Sequence, residues 1–298
     1  MSDLLVVTGP SGNIGGELTR KLVALGPDAP PYRLAAHTPS RITDEYGPDV
    51  PVAHLDYNDP STFASALEGV TTLFLLFPLP SPRTARTRMR PMVDAAVTAG
   101  ANHIIYISVP GADRSRVVPH NTVERYIHAA GLGSTILRPS YFMQNMVRAL
   151  STHGVDISEH DEVFVPAKRG KTTFLDSRDL AEVIVKIARD PAAHNQRSYL
   201  LPGPETLDFY EVAGILTDVL GREITYANPS MVKFWRRLRR RGVSRDTVFF
   251  MQLVYTLARR GFNAPPGDDM AELLDGDPTT FRKFAEDYKW RWDTQTWT

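Results

Sequence analysis

The chain contains no cysteine among its 298 residues. That absence excludes disulfide bonds, thiolate metal ligands and cysteine nucleophiles together. The chain also lacks a net charge, because 34 lysine and arginine residues balance 34 aspartate and glutamate residues. Without an overall field we expect no nucleic-acid partner and no membrane partner, and either one would require a local basic patch.

Long hydrophobic runs are missing as well. The longest uninterrupted one, L-F-L-L-F at residues 73–77, is far too short to span a bilayer, and the first residues lack the basic region of a signal peptide. We therefore expect a cytoplasmic protein. The eight histidines include no H-x-x-x-H pair, and with no cysteine available we expect no metal site.

One dense basic run stands out against this neutral background. Residues 234–241 read F-W-R-R-L-R-R-R. Their arginines suit anionic lipid, nucleic acid or an acidic partner. The favoured interpretation is a solvated helix face, with Phe234, Trp235 and Leu238 packed inward.

Six short apolar runs in the first half of the chain are typical of buried strands. Most are continuously apolar rather than alternating, which indicates burial on both faces, as in a parallel sheet. Helical patterns separate them, and this alternation predicts an α/β fold with a Rossmann-type doubly wound parallel sheet. The predicted strands cover residues 4–8, 32–36, 52–55, 72–77, 103–108 and 134–138, and the predicted helices cover 14–25, 61–67, 84–99, 121–130 and 140–151.

The pattern loosens in the second half. We predict a Rossmann domain over residues 1–150 and a smaller α+β cap over residues 151–298, from which segments can return to the main sheet. Residues 264–269 read as a loop within the cap. The predicted helices of this half cover residues 179–189, 207–220, 231–241 and 246–261, and the predicted strands cover 198–201 and 223–226.

The first predicted turn carries three glycines. Residues 8–15 read T-G-P-S-G-N-I-G, between the first strand and the first helix. Glycine permits a tight turn and lets a pyrophosphate approach the N–H groups of a helix N-terminus. The spacing alone is a weak signal, but its position in a strand-turn-helix series strengthens it. It predicts a dinucleotide site, with a purely structural turn as the less favoured alternative.

The residues after the second strand bear on which dinucleotide binds. A carboxylate there would hold a ribose 2′-hydroxyl and reject a 2′-phosphate. Residues 34–41 read L-A-A-H-T-P-S-R and contain no carboxylate, whereas His37 and Arg41 suit a phosphate. We therefore predict NADP, as NADPH. NAD is the less favoured alternative, because Asp44 is nearby and Arg41 can be a solvated loop residue.

The T-G-x-x-G-x-x-G turn resembles that of the short-chain dehydrogenases/reductases. Their catalytic Tyr-x-x-x-Lys pair is missing from this chain, because none of its 11 tyrosines has a lysine four positions later. The chain as a whole resembles the NmrA-like family, an atypical branch that includes quinone oxidoreductases, triphenylmethane reductases and isoflavone-reductase relatives. The similar segments span most of the first 220 residues. They are residues 8–15, 56–59 (D-Y-N-D), 103–108 (H-I-I-Y-I-S), 131–139, ending in T-I-L-R-P, and 174–181 (F-L-D-S-R-D-L-A).

This resemblance implies a set of cofactor-binding positions, which follow strand ends as ligand sites of doubly wound sheets do. Tyr141 and Phe142 can equally be core residues. The implied positions are Gly9, Ser11, Gly12, Asn13, Ile14 and Gly15 at the pyrophosphate, His37 and Arg41 at the adenosine phosphate, Asp56 at the adenine, Phe77 and Pro78 at the ribose, and Pro139, Tyr141 and Phe142 beside the nicotinamide.

His120 is the leading candidate for a catalytic proton donor. The resemblance implies a catalytic role here, because isoflavone-reductase relatives have a lysine at this position and relatives of the quinone-reductase kind have a histidine. A histidine can donate a proton to a carbonyl or enolate near neutral pH. Since a lone histidine at a helix start is often a cap or a surface residue, Tyr141 and Ser108 are the alternative donors.

The predicted function is NADPH-dependent reduction, by hydride transfer, of a hydrophobic, aromatic or quinone-like small molecule by a monomer or homodimer. Aromatic residues of the cap such as Phe249, Phe250 and Tyr255 suit contact with such a substrate. The alternative is a redox sensor that binds NAD(P) and docks to a regulatory protein without turnover, since loss of Tyr-x-x-x-Lys fits it equally well. A sugar-nucleotide epimerase is disfavoured, because its chemistry also depends on that pair.

Overall fold

The computed structural model describes residues 3–78, 80–147, 153–264, 267 and 269–293. Within them, the strands are β1 Leu4–Thr8, β2 Tyr32–Ala36, β3 Val52–His54, β4 Val70–Leu75, β5 His103–Ile107, β6 Gly133–Pro139, β7 Tyr141–Phe142, β8 Glu162–Val163, β9 Thr172–Leu175, β10 Arg197–Leu201, β11 Glu205–Leu207 and β12 Thr225–Tyr226.

The α-helices of the same residues are α1 Asn13–Leu25, α2 Pro39–Tyr46, α3 Phe63–Ala66, α4 Pro82–Thr84, α5 Arg90–Thr98, α6 Pro119–Ala129, α7 Gly154–His160, α8 Ser177–Arg189, α9 Phe209–Leu220, α10 Met231–Arg240, α11 Arg245–Arg259, α12 Asp269–Leu273, α13 Phe281–Tyr288 and α14 Trp290–Asp293. A π-helical turn, Ala85–Met89, joins α4 to α5. Short 3₁₀ turns occur at Gly26–Asp28, Pro60–Thr62, Ala112–Arg114 and Met143–Met146.

The chain divides into two compact units. The first comprises Met1–Pro139 and Ser177–Leu200, and the second comprises Ser140–Asp176 and Leu201–Thr298. The change from one unit to the other therefore follows Pro139, whereas the sequence pattern predicts it near residue 150. The segment that returns to the first unit carries α8, whose Glu182 accepts a 2.6 Å hydrogen bond from Lys21 of α1.

A seven-stranded sheet forms the centre of the first unit, in the order β10-β6-β5-β4-β1-β2-β3. The pairings from β3 through β6 are all parallel. The order of connection reverses between β1 and β4, which makes their carboxyl ends the topological switch point where such sheets bind ligands. The prediction of a Rossmann-type α/β fold is confirmed.

Burial explains why the strands of the first unit are continuously apolar. Leu73 and Leu75 point to one face of β4, Phe74 points to the other, and all three are fully buried. Helices on both sides of the sheet supply the matching apolar surfaces, including Met89, Met92 and Val93. The core of the first unit is therefore layered helix, sheet, helix, with the sheet interior.

The second unit has its own core, rich in aromatic rings. Phe174 of β9 makes edge-on contacts with Phe209 and Phe281, and Phe234 packs in the same way on Tyr255. These rings surround a three-stranded sheet in the order β11-β9-β7 and a two-stranded one formed by β12 and β8. The expected inward packing of Phe234 and Leu238 is confirmed, while Trp235 is 40% exposed.

The predicted helix over residues 140–151 was wrong. Tyr141 and Phe142 instead form β7, which pairs in parallel with Phe174 and Leu175 of β9, and a 3₁₀ turn follows at Met143–Met146. Pairing with a distant strand outweighs local helical periodicity here, because β7 gains backbone partners that the sequence pattern cannot reveal. Residues 148–151 of the predicted helix, and positions 265, 266 and 268 of the predicted loop, lie outside the described residues.

Candidate functional site

The glycine turn lies at the switch point, between the end of β1 and the start of α1. Gly9 has a φ of +65°, a left-handed conformation that favours glycine. A Cβ atom on Gly15 would lie 2.1 Å from the carbonyl oxygen of Gly9, so only glycine fits at this crossing of helix and loop. The spacing seen in the sequence thus has a steric cause in the backbone.

The same turn forms the N-terminus of α1. Gly12 is the cap residue, and it has no side chain with which to accept a hydrogen bond from the first turn. The helix dipole and these N–H groups favour an anion at this point. Thr19 supports the turn from inside, since its hydroxyl donates to the carbonyl of Pro10 at 3.1 Å. These residues fit a dinucleotide pyrophosphate, with Ser11, Asn13 and Ile14 on the same loop and first turn.

His37 and Asp56 come together after β2 and β3. The Nε2 atom of His37 lies 3.6 Å from Oδ2 of Asp56, and the His37 side chain is 73% exposed. Asp56 also accepts hydrogen bonds from the backbone and side chain of Asn58, which orient its carboxylate. Arg41 lies on α2 and is exposed. The edge of the sheet therefore presents an imidazole and a carboxylate in contact, with a guanidinium on the adjacent helix.

The residues that follow β4 contact the glycine turn. The hydroxyl of Thr8 accepts from the N–H of Leu76 at 3.0 Å, and a Cβ on Gly9 would lie 3.0 Å from the Leu76 side chain. Phe77 follows, is 7% exposed, and meets the ring of His120 edge-on at 5.1 Å. Pro78 is half-buried. The residues predicted at the ribose thus lie between the glycine turn and His120.

His120 is buried in a polar contact at the start of α6. Its Nδ1 atom lies 2.8 Å from the hydroxyl oxygen of Tyr106, which belongs to β5. Burial lowers the pKa of His120 to about 4, although a hydrogen bond with the backbone of Ile107 acts in the opposite direction and raises it. Burial also raises the pKa of Tyr106 well above its usual value. Both groups are therefore neutral at pH 7.

A second buried network fixes Ser108, which follows β5. Its hydroxyl donates to Oε1 of Glu124 at 2.5 Å. The guanidinium of Arg138 holds the same carboxylate through both of its oxygens, at 3.1 and 2.9 Å. Pro139 comes directly after this arginine and is buried. The contacts therefore join the ends of β5 and β6 to α6.

Sequence reasoning missed Glu124 as a site residue. It also treated Arg138 only as part of the T-I-L-R-P segment. The available signal is that Glu124 lies one helical turn after His120, so both side chains occupy the same face of α6. Nothing in the local sequence indicates that this face meets Arg138.

Tyr141 and Phe142 belong to the second unit. The hydroxyl of Tyr141 lies 2.9 Å from that of Tyr255, which also bonds to Nε2 of His153. Burial raises the pKa of Tyr141 to about 12 and lowers that of His153 to about 4. The Tyr141 ring packs edge-on against Phe174, and Phe142 is half-buried. Tyr141 is thus a core residue whose hydroxyl also joins a series of hydrogen bonds through Tyr255 to His153.

No group of three or more histidine, aspartate or glutamate side chains in the described ranges is arranged to hold a metal ion. No helix formed by those same residues has the length and apolar character needed to cross a bilayer.

Comparison with known proteins identifies the family and the fold of this chain. Residues 1–282 match the sequence profile of the NmrA-like family. The chain is 26% identical over 292 residues to the NAD(P)H azoreductase of Xenophilus azovorans, covering 95% of this chain and 97% of that protein. It is also 26% identical to quinone oxidoreductase 2 of Escherichia coli, covering 93% and 95% of the two chains.

Solved structures share the fold at lower identity. The triphenylmethane reductase of Citrobacter sp., solved with NADP(H), superimposes with a TM-score of 0.81 at 22% identity, covering 95% of this chain and 99% of that one. The negative transcriptional regulator NmrA, solved with NADP, gives a TM-score of 0.71 at 19% identity, covering 96% and 95%. The fold therefore serves a reductase and a regulator alike.

Proposed function

This chain belongs to the NmrA-like family, and we propose on that basis that it is an NADPH-dependent reductase of a hydrophobic, aromatic or quinone-like small molecule. The azoreductase and the quinone oxidoreductase among its relatives support an oxidoreductase activity in general. The observation that carries the proposal is the glycine turn, where Gly15 packs on the carbonyl of Gly9 and another glycine, Gly12, occupies the cap position of α1.

The residues of the first unit would hold the phosphates and the adenine of the cofactor. The N–H groups at the start of α1 hold the pyrophosphate, and His37 with Arg41 holds a 2′-phosphate. Asp56, already oriented by Asn58, faces the adenine. The preference for NADPH over NADH rests on the absence of a carboxylate among residues 34–41.

The reacting end of the cofactor is proposed to lie beyond β4 and β6. Phe77 and Pro78 contact the ribose, and Pro139 lies beside the nicotinamide, whose reduced form supplies a hydride to the substrate. Placing Tyr141 and Phe142 beside the same ring remains a prediction from the family resemblance.

His120 is proposed as the donor at the substrate oxygen: as a neutral imidazole it donates a hydrogen bond to the oxyanion that forms when the hydride is transferred, and water supplies the proton that completes the reduction. This role requires the tautomer in which the Tyr106 hydroxyl donates to Nδ1 and the ring proton lies on Nε2. A neutral ring donates a hydrogen bond to a developing oxyanion without the cost of carrying a charge in a buried position. Ser108 and Tyr141 are the alternative donors, but their hydroxyls are engaged by Glu124 and Tyr255 respectively.

The experiment that tests this function combines binding with turnover. Isothermal titration with NADPH, NADH and both oxidised forms measures cofactor choice. Absorbance of the reduced nicotinamide is then followed while quinones, azo dyes and aromatic enones are added. We expect tight NADPH binding and substrate-dependent oxidation, one NADPH per two-electron reduction. Failure to bind either dinucleotide would contradict the proposal.

A redox sensor is the second candidate, favoured by one observation. The three candidate donors are each held in a hydrogen bond within the protein, to Tyr106, Glu124 and Tyr255. A protein that binds NADP and reports on it needs no free donor. NADPH binding without oxidation by any compound of the panel would favour this function.

A further inference from the structure

Exposed apolar side chains are concentrated in one segment of the second unit, residues 231–262, which contains α10 and α11. Eleven large hydrophobic side chains are exposed in the described part of the chain, and seven of them belong to this segment. Scattered exposed hydrophobic residues are normal, but a group of this kind marks an interaction surface. The seven are Val232, Trp235, Phe249, Phe250, Leu253, Leu257 and Phe262.

Helix α11 is apolar on two sides. Its inner side buries Val248, Tyr255 and Ala258 in the core of the second unit. Its outer side carries Phe249, 70% exposed, and Leu253, 48% exposed, together with Phe250 and Leu257. At about 100° per residue these four outer side chains share an arc of about 100°. A helix with two apolar sides normally has an apolar partner on each.

The charge of the same segment is strongly one-sided. It contains nine lysine and arginine residues against one acidic residue, Asp246, in a chain whose net charge is zero. Arg237 and Arg241 are used internally, since both bind the buried carboxylate of Asp156. Five other basic side chains are exposed on the segment, namely Lys233, Arg236, Arg240, Arg245 and Arg260.

From this combination we propose that the α10–α11 face docks onto an anionic phospholipid surface. Phenylalanine, leucine and tryptophan side chains insert at the boundary between head groups and acyl chains, while lysine and arginine extend to the phosphates. A second copy of this chain is a poorer partner, because a two-fold contact would bring the five exposed cations against one another. We expected no membrane partner because the net charge of the whole chain is zero, but that total includes this locally basic segment.

Vesicle sedimentation with the full chain tests the proposal. Vesicles of phosphatidylcholine alone are compared with vesicles that also contain phosphatidylglycerol. We expect binding to the anionic vesicles only, weakened by salt. Arg240→Gln with Arg245→Gln should lower the partition coefficient at least about tenfold, and Phe249→Ser with Leu253→Ser should do the same. The matched controls are Arg86→Gln and Val97→Ser, exposed positions of the first unit, which should bind as the original protein does.

Several outcomes would overturn the proposal. These are no binding to anionic vesicles, or equal binding by all variants when their melting temperatures are unchanged. A dimer in gel filtration that Phe249→Ser with Leu253→Ser dissociates would make a second copy the partner. A raised KM in those variants, with vesicle binding absent, would make the face part of the substrate entrance. The assay needs neither cofactor nor turnover, so its failure is distinct from failure of the proposed reductase activity.

Discussion

His120 and Tyr106 form a buried pair in which Nδ1 of the imidazole lies 2.8 Å from the phenolic oxygen. Burial keeps both groups uncharged at pH 7, because the pKa of His120 falls to about 4 and that of Tyr106 rises well above its usual value. The neutral ring can therefore donate a hydrogen bond to an oxyanion, but it carries no imidazolium proton to transfer.

The first prediction follows from that pair. His120→Gln should lower kcat by about a hundredfold, the scale of a lost or misplaced hydrogen-bond donor to an oxyanion, while the Kd for NADPH stays unchanged. Tyr106→Phe should lower kcat less, since it removes only the partner of Nδ1. Steady-state kinetics and titration check both variants. An unchanged kcat in His120→Gln would leave His120 a purely structural residue.

The pH dependence of kcat provides a second test of the same pair. With the pKa of His120 at about 4, this ring is not expected to ionise between about pH 6 and 8, so it should leave kcat flat there. A descending limb with a midpoint near pH 6.5 that disappears in His120→Gln would show that the ring titrates normally and is not desolvated.

His103 should make folding stability fall in acid. Burial, and secondarily the charge of His194, lowers its pKa to about 4, below the ordinary 6.5, so the unfolded chain binds more protons between these values. The stability is complete above pH 6.5 and is lost as pH falls toward 4. Replacement by glutamine should remove this sensitivity, shifting the difference in unfolding free energy by about 1–2 kcal/mol between about pH 7 and pH 5 in urea denaturation. A constant difference would contradict the burial argument.

Glu124 should be among the most sensitive positions of the first unit. Glu124→Gln leaves the Arg138 guanidinium, 12% exposed, without its carboxylate, which should cost about 3–5 kcal/mol of unfolding free energy. Glu124→Gln combined with Arg138→Gln should cost less than the sum of the single changes, because no uncompensated charge remains. Additive costs in chemical denaturation would mean that the two groups do not interact.

Adjacent glycines of α1 should differ in their tolerance of an added methyl group. Gly15→Ala places a Cβ 2.1 Å from the carbonyl oxygen of Gly9, so we expect a loss of more than about 2 kcal/mol of stability together with loss of NADPH binding. Gly16→Ala meets nothing closer than 3.6 Å and should change stability by less than about 1 kcal/mol. Calorimetry and titration distinguish the two variants, and equal tolerance would contradict the steric argument.

Arg41 should strengthen the binding of NADPH and not that of NADH. Arg41→Gln should raise the Kd for NADPH about tenfold, the effect of losing one charge-assisted contact with a 2′-phosphate, and leave NADH binding unchanged. Arg86→Gln, also exposed, is the matched control. A parallel loss for both dinucleotides would assign Arg41 to a part of the cofactor that they share.

Much of the first unit was predictable because its signals are local. The apolar runs of β1, β4 and β5, the turn at residues 8–15 and the helix that follows are all visible within windows of about 15 residues. Steric rules then convert them into a parallel sheet with a ligand site at its switch point.

The parts that sequence reasoning missed depend on contacts between distant residues. β7 exists because Tyr141 pairs with Phe174, and Ser108 is fixed because Glu124 also meets Arg138. The charge state of His120 follows from burial, which periodicity at the start of a helix does not report.

The amino-acid sequence by itself therefore indicated the parallel strands of the first unit and the glycine turn, since backbone sterics and hydrophobic spacing act over short stretches of chain, and its resemblance to known proteins indicated the family; the helix α2 was missed. Only the tertiary structure decided which polar groups are buried together and which apolar side chains of α11 stay exposed. Desolvation and pairing arise when remote segments meet, and they set the protonation state of His120 and the character of the α10–α11 face.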